Sequence, residues 1–381
     1  MELLGKSREE LQAYCKTLGE PAYRGGQIYH ALYAERKFDV ASFTNLPAAL
    51  RQKLREEAAV TLPVVRQRYE SSDGSVRYLF GLNAVKEALV GIPKTARMKP
   101  AAVEAVFMPS EGRQTICIST QAGCAVDCQF CLTAKLGLIR NLTAGEMLAQ
   151  VLLPLVEMGG EGAGKMEGVE GEEESSALAA RTNVVLMGQG EPLLNFENVM
   201  AGLRILLDPN GVGLSPKRVT LSTSGVVPGI ERLAKEAVRP KLAISLNASC
   251  DEQRDVLMPI NKKYPLKVLM EACRRYPLRN WEHLTFEYVM LGGVNDTVAD
   301  ARRVVKLLRA VDRVRVNLIP WNPGELPYKE SSAETINKFQ KALTDKGVPA
   351  FVRYSRGRDV MAACGQLALL EVKSSPLSVI G

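Results

Sequence analysis

Histidine is nearly missing from this chain of 381 residues, in which His30 and His283 are the two that occur. His30 falls in a helical pattern and His283 at the start of a strand pattern, so both read as structural. Acid–base chemistry then falls to carboxylates or cysteines. Long apolar runs are missing too. The longest are strand-length, well short of the ~20 residues that span a bilayer. Residues 1–6 have no apolar core of the kind a signal peptide needs. The expectation is a cytoplasmic protein with no membrane contact. Nor is there a second C-x2-C or an H-x3-H to complete a paired zinc motif. Eight cysteines are enough for four disulfides, but Cys124, Cys128 and Cys131 crowd together while Cys15, Cys117, Cys250, Cys273 and Cys364 are scattered. Without a secretion signal, such clustering points to metal binding or catalysis.

What the chain does have is an uneven charge. The formal total is +7, but residues 159–177 hold six Glu and one Lys, a net of −5, which leaves +12 on the remainder. That surplus suits a polyanion such as RNA. The acidic stretch is Gly-rich and nearly free of apolar residues, and reads as a mobile surface insertion without chemistry.

Residues 1–60 read as a small helical unit. Ser7-Arg8-Glu9-Glu10 forms a capping box, followed by Leu11, Tyr14, Cys15 and Leu18 at helical spacing. Two more helices are expected over 23–33 and 47–57. Residues 61–109 switch to period two, with a hairpin over 64–69 and 76–82 around Ser71-Ser72-Asp73-Gly74-Ser75 and a strand over 103–108. From 110 to 359 strands and helices alternate. Strands are expected over 115–119, 183–187, 218–222, 241–246, 285–290 and 314–319. Helices are expected over 143–157, 196–207, 227–236, 266–276 and 298–310, and a last helix over 333–344 precedes a strand near 350–354. This alternation predicts an α/β fold, a partial (β/α)6 barrel with a helical N-terminal accessory domain and a β-hairpin extension. Residues 360–381 form a C-terminal segment. Ligands in such folds sit at the carboxyl ends of the strands, and the cysteine cluster directly follows the first barrel strand.

The stretch from Gln121 to Cys131 carries its thiols in the spacing C-x3-C-x2-C. Zinc and electron-transfer clusters want a fourth protein ligand. Three thiolates leave one position open, which fits a [4Fe–4S] cluster with an iron left for substrate. A zinc-type RNA-binding module stays as an alternative. Met187-Gly188-Gln189-Gly190-Glu191-Pro192 ends the second barrel strand. Leu193 stands where a dinucleotide fingerprint would need its third glycine, so the glycine turn with its carboxylate reads better as a cradle for an ammonium group. Ser222, Ser245-Leu246-Asn247 and Asn322 end successive strands. Singly each is a turn-former; together they make a binding rim. Cys117 and Cys364 each read first as a small buried hydrophobe, yet a thiolate is also a strong nucleophile toward an activated methyl group.

The cysteine motif resembles that of the radical S-adenosylmethionine (SAM) superfamily. Over nearly the whole chain, from the helical N-terminal unit to Ala362-Ala363-Cys364-Gly365-Gln366-Leu367, the sequence resembles the RlmN family of dual-specificity rRNA/tRNA adenine-C2 methyltransferases. The resemblance implies that Cys124, Cys128 and Cys131 hold the [4Fe–4S] cluster. It implies that Gly190, Glu191, Ser222, Ser245, Leu246, Asn247 and Asn322 contact SAM. It makes Cys364 the methyl-carrying cysteine, Cys117 its disulfide partner and Glu104 the proton acceptor. The chain departs from the family at Asn247, where relatives commonly carry His. The implied partners are 23S rRNA, tRNA and an electron donor such as flavodoxin or ferredoxin, and the chain is expected to act as a monomer. Related enzymes that methylate C8 share the cysteine set and stay open as the alternative product.

Overall fold

The computed structural model describes residues 1–82, 101–160 and 180–369. The N-terminal unit is helical, as its spacing predicts. Helix α1 (Arg8–Thr17) starts on the capping box: Glu10 N–H donates to Ser7 Oγ at 3.2 Å and Ser7 N–H to Glu10 Oε2 at 2.8 Å. With α2 (Tyr23–Tyr33) and α3 (Ala48–Glu57) it buries Leu11, Ile28, Leu32, Leu50 and Leu54. Each such side chain contributes roughly 1.5–3 kcal/mol when removed from water. The unit is continuous with the core of the larger body, and Tyr29 pins it there by donating its hydroxyl to Asp208 Oδ2 at 2.8 Å.

Strands β1 (Val64–Glu70), β2 (Val76–Gly81) and β3 (Ala102–Ser110) run antiparallel. β3 pairs antiparallel with β4 (Arg113–Cys117), which opens the parallel part of the sheet. A short ribbon, β5 (Gln121–Gly123) with β6 (Leu138–Asn141), follows. Then come α4 (Ala144–Gly160), β7 (Thr182–Leu186), α5 (Phe196–Leu207), β8 (Val219–Thr223), α6 (Val227–Leu233) and β9 (Lys241–Ser245). After these lie α7 (Asp251–Leu257), α8 (Leu266–Arg275), β10 (Leu284–Met290), α9 (Val298–Leu308), β11 (Val314–Pro320), α10 (Ala333–Thr344) and β12 (Ala350–Val352). The main sheet has ten strands in the order β1-β2-β3-β4-β7-β8-β9-β10-β11-β12.

The six expected barrel strands are all present and parallel, and β12 adds a seventh. Side chains alternate along them, because successive residues of a strand face opposite sides. On β8, Val219 and Leu221 are buried under helices while Thr220 and Ser222 face the barrel lumen. The ribbon and α7 were not expected; both are too short for a periodicity to register. The acidic insertion expected over 159–177 lies outside the described residues from 161 onward, and its first two residues close α4. Among the described residues no helix is long and apolar enough to cross a membrane.

Besides reversing the chain, the β1–β2 turn grips the segment leading to Cys364. Ser71 Oγ and Ser72 N–H donate to Asp359 at 2.5 and 2.9 Å, and Gly357 N–H donates to Asp73 Oδ2 at 2.9 Å. Burial alone would raise the Asp73 carboxyl, but hydrogen bonds from Ser75, Gly357 and Ser71 outweigh it and hold the group down at about 2. A depressed pKa means a stabilising contribution that is present above the unfolded value of about 4 and lost as pH falls through about 2. Asp73→Asn is expected to cost on the order of 1 kcal/mol at neutral pH. It should also flatten the acid limb of stability, as urea unfolding from pH 7 down to about pH 3 would show.

Candidate active site

The cluster loop begins where β5 ends. Gly123 has φ +75°, and a Cβ there would lie 1.8 Å from the Gly137 carbonyl oxygen, so no other residue fits. Cys124 N–H donates to that carbonyl at 3.0 Å, and Gln129 N–H donates to Leu257 O at 3.0 Å, tying the loop to α7. The three cysteines line a cavity of about 180 Å³ at the carboxyl ends of the strands, with Gly190, Glu191, Ser222, Ser245, Asn247, Asn322 and Cys364. Leu246 is the exception: its side chain is fully buried in the core, and it does not line the cavity.

Glu191 is held tightly. Its Oε2 accepts from Ser224 N–H and Oγ, both at 2.7 Å, and its Oε1 accepts from Leu193 N–H at 3.1 Å. Its own N–H donates to Gln121 Oε1 at 2.8 Å. Gly190, at φ +97°, passes so close to Gln121 that a Cβ would sit 2.5 Å from the Gln121 Cβ. Burial pushes the Glu191 carboxyl up against these hydrogen bonds. Asn247 adopts the left-handed conformation, φ +55°, which Asn tolerates better than most residues. Its Oδ1 accepts from Val289 N–H at 2.9 Å and its Nδ2 faces Met258 Sδ at 3.4 Å, so its side chain braces the loop.

Arg254, on α7, is a residue that sequence reasoning misses, because no motif surrounds it. It is fully buried and donates to Leu246 O at 3.1 Å, Ser224 O at 2.6 Å, Ser245 O at 3.1 Å and Asn261 Oδ1 at 3.1 Å. It thereby joins the ends of β8 and β9. Burial lowers it to about 10, so it stays cationic at neutral pH beside Cys128.

The thiols themselves test what the site suits. Burial pushes Cys124 up to about 12, with Glu191 and Cys131 adding to the effect; Cys128 is raised further by burial and by both other thiols. Three thiolates beside a carboxylate need a strongly cationic occupant to ionise. Three thiol donors are one short of the four a closed zinc site uses, and they suit a cluster that keeps one position open.

A second cavity, about 580 Å³, adjoins the first and shares Cys131 and Cys364 with it. Cys117, at the end of β4, lines it opposite the C-terminal segment, and both cysteines are free thiols. Burial and the neighbouring Cys364 push Cys117 up to about 12; burial and then Glu287 push Cys364 up to about 11. Cys364 is placed by its neighbours: Asn322 Nδ2 donates to its carbonyl at 3.1 Å, Leu132 N–H to Gly365 O at 2.8 Å and Thr133 Oγ1 to Leu367 O at 2.6 Å. Glu104 lines neither cavity. It is buried on β3, paired with Arg77 Nη1 at 2.6 Å, and its Oε2 accepts from Leu369 N–H at 3.0 Å.

Residues 118–308 match the radical SAM superfamily, and residues 1–60 match a ribosomal RNA large subunit methyltransferase N-terminal domain. A protein from Koribacter versatilis named as a probable dual-specificity RNA methyltransferase RlmN is 46% identical, over 94% of this chain and 99% of its own. One from Azorhizobium caulinodans named as a dual-specificity RNA methyltransferase RlmN is 44% identical, over 96% of this chain and 88% of its own. The chain belongs to the RlmN family. A crystal structure of a radical SAM methyltransferase from Sphaerobacter thermophilus, 39% identical, superposes with a TM-score of 0.83 over 96% of this chain and 99% of that one. Membership makes the protein a radical SAM methyltransferase and gives its three-cysteine loop, glycine turn and parallel half-barrel a common purpose. What RlmN motifs alone do not reveal is the bracing around them, namely Gln121, Ser224, Arg254 and Ser355.

Proposed function

We propose that the chain methylates C2 of adenine in 23S rRNA and tRNA, carrying the methyl group on Cys364. The observation that supports this most directly is the pair of adjoining cavities, one lined by the three clustered cysteines, the other by Cys117, with Cys364 in both. The C2 carbon is not nucleophilic, and a [4Fe–4S] cluster with SAM supplies the methyl group and the one-electron chemistry that such a carbon requires. Cys124, Cys128 and Cys131 hold the cluster. Glu191, oriented by Ser224, receives the SAM ammonium group at the Gly190 turn. Ser222 and Ser245 offer hydroxyls, Leu246 meets SAM through its backbone, Asn247 braces the loop through its side chain, and Asn322 keeps Cys364 in register. Glu104 takes the C2 proton once the segment bonded through Leu369 withdraws from it. Attack of the Cys117 thiolate on the Cys364 sulfur breaks the sulfur–carbon bond to the base. The departing carbon keeps the bonding pair and takes a proton to become the methyl group, and the disulfide left behind is reduced by a dithiol reductant before the next turnover. A flavodoxin or ferredoxin delivers the electron.

Anaerobic reconstitution with iron and sulfide tests this reading. The protein is expected to bind iron and sulfide, cleave SAM and show one added methyl on Cys364 by mass spectrometry. Cys128→Ala should abolish cluster absorption and lower RNA methylation by on the order of a thousandfold or more. A colourless protein, or a methyl group mapped to C8 instead of C2, sinks the proposal.

A further inference from the structure

Strands of a parallel sheet packed on both faces are ordinarily apolar throughout. Here the lumen face is not. Besides Arg356, which pairs with Asp73, the second cavity carries Arg113, Arg218, Lys241, Arg315 and Arg353 against a single carboxylate, Glu287. Arg113 and Lys241 are the first residues of β4 and β9, Arg218 directly precedes β8, and Arg315 is the second residue of β11. Four of the five thus cluster at the amino ends of the strands, opposite the cysteine loop. Among the described residues none of the five has an ion-pair partner in the lumen. Arg218 donates to Asn183 Oδ1 at 3.4 Å, Arg315 to Thr285 Oγ1 at 2.8 Å and Arg353 to Asn317 Oδ1 at 3.2 Å, all neutral acceptors. Glu287 is itself engaged by Asn317 Nδ2 at 2.9 Å.

The cations also disfavour one another. Lys241 is lowered by burial and by Arg315 and Arg218, against the pull of Glu282; Arg315 is lowered by burial and by Arg353, against the pull of Glu287. Like charges gathered in a concave, partly desolvated space cost stability unless an anion neutralises them. At the carboxyl end of the barrel, Leu132, Thr133 and Asn322 tether the segment that carries Cys364 beside the three-cysteine loop. Cys364 also lines the larger cavity, which gives a route from the amino-terminal mouth to its sulfur. From Arg113 to Cys117 β4 rises about 13 Å, which accommodates a nucleotide and an extended arginine side chain.

We propose that the RNA strand enters through this cationic amino-terminal mouth, with Arg113, Arg218, Lys241 and Arg315 binding the phosphodiesters that flank the flipped adenine and Arg353 guarding the side. The inference rests on the RNA reading above. It gives phosphate positioning to the lumen itself, in addition to any contact made by the N-terminal helical unit.

The test uses reconstituted protein and a short RNA hairpin with an unpaired adenine, its affinity followed by fluorescence anisotropy across a KCl series. Lys241→Met combined with Arg315→Gln should weaken binding on the order of tenfold near 0.1 M salt and reduce the log–log salt slope by about 1.4. Because two repelling charges are gone, the same variant should melt higher, by on the order of 1 °C; a merely structural pair would melt lower. If the double variant does not fold, Arg218→Gln alone carries the same expectations with half the slope change. Unchanged affinity and slope overturn the assignment. So does weakened binding of inorganic phosphate with RNA binding intact. Methylation of Cys364 in the wild type is the separate control: its absence fails the methyltransferase reading, whereas its presence alongside unaffected RNA binding fails the lumen assignment alone.

Discussion

Cys117→Ala is expected to halt the protein as a covalent adduct with RNA, whereas Cys364→Ala should yield neither adduct nor methylated product. The two thiols line the same cavity, and Cys117 feels the charge of Cys364. If Cys364 carries the one-carbon unit to adenine, the base is for a moment bonded to the protein through a thioether. A thioether does not dissociate without a nucleophile at sulfur. Cys131 is the other thiol near Cys364, but on the proposed reading it is a cluster ligand and so not free to attack. Removing Cys117 therefore leaves nothing to complete the exchange, and turnover should fall by on the order of a thousandfold or more. Denaturing gels would show the adduct as a shifted band. Nuclease and protease digestion should leave an adenosine remnant on the peptide containing Cys364. An adduct that resolves normally in Cys117→Ala would remove Cys117 from the mechanism.

The second large effect concerns Arg77. Its side chain is fully inaccessible and its guanidinium contacts Glu104 at 2.6 Å, with the Tyr69 ring stacked 4.1 Å from it. Burial pulls the Glu104 carboxyl above its usual range, and Arg77 is the main influence opposing that. Arg77→Met leaves a buried carboxylate without its counter-charge, which costs about 3–5 kcal/mol. In a chain of this size that should lower the melting temperature by roughly 4–6 °C. The carboxyl can avoid part of the cost by keeping its proton, and then it no longer serves as a base. Adding Glu104→Leu should recover much of the lost stability, since replacing both members of a buried pair by apolar groups is far milder than removing one. Activity should not return. Thermal melts of the two variants separate this from a simple packing defect, for which the second substitution would make matters worse.

The parallel strands were legible because each pairs an apolar run with a following amphipathic helix, and that pattern is local. Capping boxes at Ser7 and Thr143 marked two helix starts correctly for the same reason; at the second, Glu146 N–H donates to Thr143 Oγ1 at 3.2 Å. The ribbon β5–β6 was not legible, since three- and four-residue strands carry too few alternations to stand out. Asn322 was read as one more polar strand end. Its hydrogen bonds to Ser355 Oγ at 2.9 Å and to the Cys364 carbonyl depend on a segment far away in the chain.

The C-x3-C-x2-C loop and the Gly190–Glu191 turn were determined by the sequence alone, because a few bonds of chain set the reach of every ligand in them. The basic surplus was equally visible as a count. Only the tertiary structure decided where those charges point, that Cys117 and Cys364 share a wall, that Arg77 neutralises Glu104 and that Arg254 binds two strand ends together. Closing the barrel brings residues from distant strands onto one inner surface, and nothing in their separation along the chain encodes that proximity. The three-cysteine spacing is local; the cavity that Cys117 and Cys364 share and the cationic lumen exist only once the sheet has curled around them.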